Sequence, residues 1–303
     1  VAARLVGLRA TDPPFVELAA RSGFSLLDGA SNPEQLAERA AGIGLPALAL
    51  ADRFDLGGVV RFERACRESG VRPIVGAEVL VPLSGTLSGA RIGGSDLEEK
   101  RASRSLSLVL LCENAEGYHN LSALVTAARL DYPRGSPTLP LLRLVGRTEG
   151  LVCLLRTRGL DSGGGAALDR LCGLFPDRFW LALEHHGVPE DDRACERWLA
   201  FARREALPWV PVNTPRYANP DGRIVHDVLT CLRHGVTLDE AGDLLKPNGE
   251  WYLKGDREMR ARWCFREKRE VGIPPRVGLR AAKETRSGVP ASPPDYPPGA
   301  SQE

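Results

Sequence analysis

The sequence predicts an α/β protein built on a parallel sheet or barrel. Short apolar runs alternate with segments whose apolar residues recur at helical spacing, and the first 80 residues alone read βαβαβ. Apolar residues make up 43% and charged residues 26% of 303 positions, an ordinary globular composition. That length suits about two domains of ~150 residues or one large α/β barrel.

The elements follow in order. Phe15–Leu18 reads as the first strand. Ser31 then offers an N-cap, with Pro33 in the first turn and Glu34 completing a capping box. The helix after it places Leu36, Ala37, Ala40 and Ala41 on one face. Ala47–Leu50 is a buried strand, Val59, Phe62 and Cys66 mark the next helix, and Pro73–Leu80 is the third strand. Ser84–Ser105, rich in Ser, Gly and charge, is expected to be a long loop. Leu106–Leu111 is a strand, and Tyr118, Leu121, Leu124, Val125 and Ala128 form the following helical stripe. Asp131–Thr148 is irregular, with three prolines. Leu151–Leu155 and Phe179–Leu183 are further strands, with a flexible turn at Gly163–Gly165 between them. Ala194, Trp198 and Phe201 mark an amphipathic helix, Trp209–Asn213 is the seventh strand, and helical pieces follow at Gly222–Arg233 and Leu238–Leu245.

Composition excludes several classes. Lys+Arg is 40 and Asp+Glu 39, so no basic arm or acidic tail dominates. Residues 264–303 carry seven Lys/Arg against five Asp/Glu and are rich in Pro and Gly. Lacking an apolar period, that tail is expected to be disordered. No apolar run approaches the ~18 residues of a membrane span, and VAARLVGLRATDPP holds no signal-peptide core, so a cytoplasmic location without membrane contact is expected. The seven cysteines are scattered without a C-x-x-C pair, which argues for buried free thiols rather than disulfides or a zinc knuckle. The chain opens on Val1, as a fragment or an alternative start would.

A parallel barrel carries its chemistry on the loops at the carboxyl ends of its strands. Those positions hold Arg21 and Ser22; Asp52, Arg53 and Asp55; Glu78; Glu184, His185 and His186; and Asn213, Thr214, Arg216 and Tyr217. A multi-metal hydrolase needs several His and carboxylates there. Asp52, Glu78 and a His pair meet part of that need, but arginine stands at three strand ends, and its fixed cation repels a metal. The residues therefore describe a polar barrel mouth closed by Arg–carboxylate pairs. Other features read as structural. Gly163-Gly164-Gly165 has neither dinucleotide nor phosphate-loop spacing. Ser22 and Ser25 near Asp28 lack a neighbouring His for a triad. His119 is a surface residue, and Arg61, Arg64 and Arg67 share a solvated helix face with Glu63 and Glu68. Trp180, Trp198 and Trp209 are core candidates, whereas Trp251 and Tyr252 could dock on a neighbouring module.

Several runs then carry a resemblance. Glu17–Ser31 (ELAARSGFSLLDGAS), Gly44–Asp52 followed by Gly58 and Arg61-Phe62, Ile74–Glu78, and Glu116–Leu121 resemble the PHP (polymerase and histidinol phosphatase) domain of bacterial C-family DNA polymerases. His226–Cys231, Thr237–Gly242 and Glu250–Lys254 with Glu258-Met259 resemble the segment after that domain, in wording most like the error-prone branch. The resemblance covers about residues 15–263 and implies a distorted (β/α)7 PHP barrel over 15–218. A short helical extension over 219–263 would face a polymerase core, between an N-terminal tail, 1–14, and the disordered tail, 264–303.

Departures from the pattern bear on function. Where the family has two histidines in its first motif, this chain has Ala19 and Arg21; where it has Asp-His in its second, Asp52 and Arg53. Ser107 stands for a frequent His, and Thr214 and Arg216 for an Asp and a His. Asp52, Glu78 and His186 are the residual metal-ligand positions, too few for a working multi-metal site, so no cofactor is expected and no residue is assigned a catalytic role. The resemblance implies the N-terminal region of an error-prone, DNA-directed DNA polymerase acting in repair and translesion synthesis. This chain would be truncated before the nucleotidyltransferase palm and structural in role. Its partner would be the polymerase core, and DNA would be met only indirectly. The alternatives are a stand-alone metal-dependent phosphoesterase using Asp52, Glu78 and His186, or an inactive gene remnant.

Overall fold

The computed structural model describes residues 13–83, 105–133, 135–158, 160 and 165–263. The expected tails, apart from Pro13 and Pro14, nearly all of the Ser84–Ser105 loop and most of the Gly163–Gly165 turn lie outside the described residues.

Seven strands and seven helices are described: β1 (Glu17–Ala20), α1 (Pro33–Gly42), β2 (Ala47–Arg53), α2 (Val59–Glu68), β3 (Arg72–Pro82), β4 (Ser105–Cys112), α3 (Ala115–Asp131), β5 (Leu151–Arg156), α4 (Gly165–Leu174), β6 (Phe179–Glu184), α5 (Pro189–Arg204), β7 (Trp209–Val212), α6 (Gly222–His234) and α7 (Asp256–Trp263). The strands hydrogen-bond in chain order from β1 to β7. Neighbours are parallel except at β4, which runs antiparallel to both β3 and β5. The expected parallel arrangement thus holds for every neighbouring pair except the two that β4 makes. An apolar run marks a strand, but the path of its connections sets its direction. As a result the amino end of β4, with Ser107, lies beside the carboxyl ends of its neighbours, pairing with Leu80 and Arg156.

Strand alternation sorts side chains into an outer shell and an inner layer. Val79, Leu108, Leu155 and Leu181 face outward against Leu121, Leu124, Leu171 and Phe175 of the helices. Leu48, Leu50 and Leu183 pack outward on Leu36, Phe62, Cys66 and Leu199. Inside, Ala19, Ala49, Ala51, Val109, Leu154, Ala182 and Val212 make a narrow apolar plug. Large apolar side chains buried in this way stabilise by roughly 1.5–3 kcal/mol each. No β1–β7 ladder forms among the described residues. Instead the buried Glu17 carboxylate spans the seam, accepting from the backbone N–H groups of Asn213 (2.8 Å) and Thr214 (3.3 Å).

Local details depart from expectation for identifiable reasons. β1 starts at Glu17 rather than Phe15, because the Phe15 N–H donates to Asp256 at 2.7 Å instead of to a strand. The cap of α1 is Asn32 with Gln35, whose Oε1 accepts from the Asn32 N–H at 2.8 Å. The Ser31 hydroxyl is taken by the Ala218 N–H (2.9 Å). Ala41 and Tyr118 are exposed, while Leu36, Ala37, Ala40, Leu121, Leu124, Val125 and Ala128 are buried. The buried stripe of α5 is Asp191, Cys195, Leu199 and Ala202, with Ala194, Trp198 and Phe201 half-buried beside it. Trp180 and Trp209 are also half-buried. Leu238–Leu245 is not an α-helix: only Gly242–Leu244 winds, as a single 3-10 turn. His119 is exposed, and Arg64 and Arg67 pair with Glu68 and Glu63 along α2. The six described cysteines are free. No helix among the described residues is long and apolar enough to cross a membrane.

The segment after β7 folds back over the barrel. The Arg216 N–H donates to the Trp251 carbonyl (2.7 Å), and the Leu253 N–H to the Tyr217 carbonyl (3.0 Å). Asn213 Nδ2 donates to the carbonyls of Glu250 (3.1 Å) and Tyr252 (2.7 Å). Met259 and Trp263 of α7 then join the shell around α1 and α2. Trp251 is therefore used within the chain: it is buried and stacks on His186 at 4.1 Å with a 12° tilt.

Candidate functional site

Above the apolar plug, the next inward position of several strands is charged or polar. Arg21 follows Ala19, Arg156 follows Leu154, Glu184 follows Ala182, and Thr214 follows Val212; Glu78 on β3 and Ser107 on β4 complete the layer. These residues interlock. Arg21 ion-pairs with Glu78. Arg156 donates from Nη1 to Glu78 (3.0 Å) and bidentately from Nε (2.7 Å) and Nη2 (2.9 Å) to Glu184. The Thr214 hydroxyl donates to Glu184 (2.9 Å), and the Ser107 hydroxyl to Glu78 (2.8 Å). Thr214 reaches both Glu17 and Glu184 with its backbone in the left-handed region, φ 48°. A non-glycine residue there costs about 1 kcal/mol or more and persists only where its contacts hold it.

The electrostatics follow from burial and pairing. Burial pushes the Glu184 carboxyl up, but the Arg156 guanidinium more than compensates and holds it well below the usual carboxylate range. Burial works against the Arg156 charge, yet Glu184 raises its pKa. Glu17 meets no cation among its hydrogen-bond partners, and burial lifts it to about 7.

The three residual ligand positions are each committed elsewhere. Asp52 accepts from the Ser22 N–H (2.8 Å), the Ser22 hydroxyl (2.7 Å) and the Ser25 hydroxyl (2.6 Å), while burial pushes its pKa up. Glu78 faces Arg21, Arg156 and, at 3.7 Å, Arg53. His186 Nε2 lies 2.8 Å from the Asn213 carbonyl, so it carries the proton; Nδ1 then accepts from Arg158 at 3.0 Å. Burial lowers its pKa to about 3, keeping the ring neutral. Arg158 also pairs with Asp191 (2.7 Å), whose other oxygen accepts from the His186 N–H (2.6 Å). Among the described residues, no group of three or more His, Cys, Asp or Glu is placed to hold a metal ion. Asp52 sits with Ser22 and Ser25, Glu78 in the charged layer, and His186 under Trp251.

Sequence reasoning missed two central residues, Arg156 and Glu17. Arg156 ends an apolar strand two positions beyond inward-facing Leu154, so strand alternation could have found it. Glu17 opens β1 among apolar neighbours, and a carboxylate within a buried strand was the available signal. Asp28, close to Ser22 and Ser25 in the sequence, pairs with Arg21 and Arg216.

Comparison with known proteins supplies the lineage. Over 260 residues the chain is 35% identical to the error-prone DNA polymerase of Anaeromyxobacter sp. (strain K), covering 83% of this chain and 21% of that protein. It is 32% identical over 257 residues to the DNA polymerase III subunit alpha of Caulobacter vibrioides (strain NA1000 / CB15N), covering 81% and 22%. The chain thus spans about a fifth of the length of the curated relatives it matches. An amidohydrolase structure from Chromobacterium violaceum aligns at TM-score 0.45 and 17% identity, over 66% of this chain and 86% of that one, too distant to support a functional argument. The PHP domain family matches residues 17–200, from β1 through most of α5. On that match, which takes in the charged layer as far as Glu184, the chain belongs to the PHP domain family.

Proposed function

We infer that this chain is the N-terminal PHP region of an error-prone-type DNA polymerase, in which the barrel is a structural support rather than a metal-dependent hydrolase. The observation that carries this reading is the Arg21–Glu78–Arg156–Glu184–Thr214 network at the strand ends. A divalent-metal site needs free carboxylate oxygens and imidazole lone pairs. Here Glu78 and Glu184 are neutralised by guanidinium groups, Asp52 is capped by three donors, and both His186 nitrogens are engaged. The residues present do not fit the family's metal cluster, and no reaction step is drawn through one.

On this reading, nucleotidyl transfer belongs to the four-fifths of the relatives that the chain does not span. The barrel would hold a polymerase core, meeting DNA only through it, in the cytoplasm during repair or translesion synthesis. The test is metal content after purification in manganese or zinc, combined with hydrolysis of a generic phosphoester. Far less than one metal per chain and no turnover are expected. Near-stoichiometric metal with turnover that Glu78→Ala abolishes would overturn the reading in favour of a phosphoesterase.

A further inference from the structure

Beside the charged layer, several cations converge on one carboxylate. Asp28 pairs with Arg21, has Arg216 Nε at 3.1 Å and has Arg233 Nη1 at 3.9 Å. Burial pushes its carboxyl up, but Arg216, Arg21, Arg53 and Lys246 together hold it well below its ordinary value. The neighbouring carboxylates are already committed: Glu78 to Arg21, Arg53 and Arg156, Glu184 to Arg156, and Asp52 to Ser22 and Ser25. Six cations (Arg21, Arg53, Arg156, Arg216, Arg233 and Lys246) thus share four carboxylates.

The excess is felt by the cations themselves. Burial first, then Arg216, lowers the pKa of Arg21, and the same two causes bring Lys246 down to about 8. One buried donor, Arg21 Nε, has no hydrogen-bond partner. An unsatisfied buried donor is costly, and buried like charges are stable only where an anion compensates them. The cluster is not sealed: the side chains of Arg53 and Arg233 are 41% and 31% exposed.

The geometry points to an oxyanion site at this end of the barrel, for a dianion of the phosphate class, with Arg21 and Arg216 as its floor and Arg53, Arg233 and Lys246 as its rim. Guanidinium groups suit this role, because their N–H forks match tetrahedral oxyanions and never lose their charge at working pH. The site does not depend on the polymerase reading. It takes an anion through arginines where the family pattern would place metal ligands.

The experiment is thermal unfolding of the whole chain at pH 7 and constant ionic strength, with inorganic phosphate replacing chloride. A saturable rise in Tm is expected. In the rim double variant Arg233→Gln/Lys246→Gln the half-saturating phosphate concentration should rise about tenfold or more, since two charge-assisted contacts are lost. Arg64→Gln on α2, an exposed arginine outside the cluster, should keep the full response. No rise beyond chloride, or an equal rise in the rim variant, would overturn the site. If the double variant fails to fold, Arg233→Gln alone provides the same comparison. A deoxynucleoside 5′-monophosphate binding more tightly than inorganic phosphate would make a nucleotide's terminal phosphate the natural source, and equal binding would make it free phosphate. The unphosphorylated nucleoside giving the same shift would overturn the proposal.

Discussion

The apolar plug and the charged layer above it occupy the same barrel, two residues apart along each strand, and are held together in opposite ways. Leu154 in the plug is buried among Ala, Val and Leu side chains, none of which depends on a particular partner. Arg156, its next inward neighbour, is buried between Glu78 and Glu184 and is stable only because both are present. Apolar burial is roughly proportional to area and tolerates local change; a buried ion network gains little net stability when complete and loses much when one member is removed.

The largest break of that contrast is Arg156→Met. It roughly keeps volume but leaves Glu184 without its cation and Glu78 with one guanidinium fewer, and a loss of about 3–5 kcal/mol in urea unfolding is expected. An Arg156→Met/Glu184→Gln double variant should recover part of that loss, because the carboxylate left without a cation is neutralised with it. The matching change one layer down, Leu154→Ala, should cost about 3 kcal/mol through lost transfer energy and a cavity. No partner substitution of the charge-removing kind should recover it. Equal rescue in both layers would erase the distinction.

The plug and shell were legible in the sequence, and the charged layer only in part. All seven strands announce themselves as apolar runs, because strand burial is a local, periodic property. The reversed direction of β4 is not local: it shows only in its pairing with β3 and β5, which no periodicity encodes. Partner choice is not local either. Ser31 has the right type and spacing for a helix cap, yet its hydroxyl serves Ala218, 187 positions away. For the same reason Asp52, Glu78 and His186 could be named individually, while their separate commitments to serines, arginines and the Asn213 carbonyl appear only in three dimensions.

Glu17 at the seam sharpens the comparison, since it is a buried carboxyl with no cation among its hydrogen-bond partners. Its carboxyl is raised from 4.5 to about 7, so between those pH values the folded chain holds a proton that the unfolded chain has released. Stability from this group therefore falls as pH rises from about 4.5 to 7, by roughly 3–4 kcal/mol in all. His186, lowered from 6.5 to about 3, and His226, lowered to about 4, act in the opposite sense, because they must be held neutral where the unfolded rings are charged. The wild-type profile is then partly flattened, and the informative quantity is the difference between Glu17→Gln and wild type. That difference should be small near pH 4.5 and should favour the variant increasingly up to pH 7–8. A pH-independent difference would show that the seam carboxylate is not protonated on folding.

The smallest effect tests how far the charged layer behaves as a unit. Ser107→Ala removes one neutral donor to Glu78, a contact of 2.8 Å, while Arg21 and Arg156 continue to neutralise that carboxylate. A single hydrogen bond to an already paired charge should cost about 1 kcal/mol. Combining Ser107→Ala with Arg156→Met closes a double-mutant cycle. If Glu78 is the shared node, the serine should matter more once Arg156 is gone, because it becomes one of the few remaining donors to an under-compensated carboxylate. A coupling above about 0.5 kcal/mol would place Ser107 within the network, whereas simple additivity would leave it as a neighbour that touches Glu78 without sharing its load.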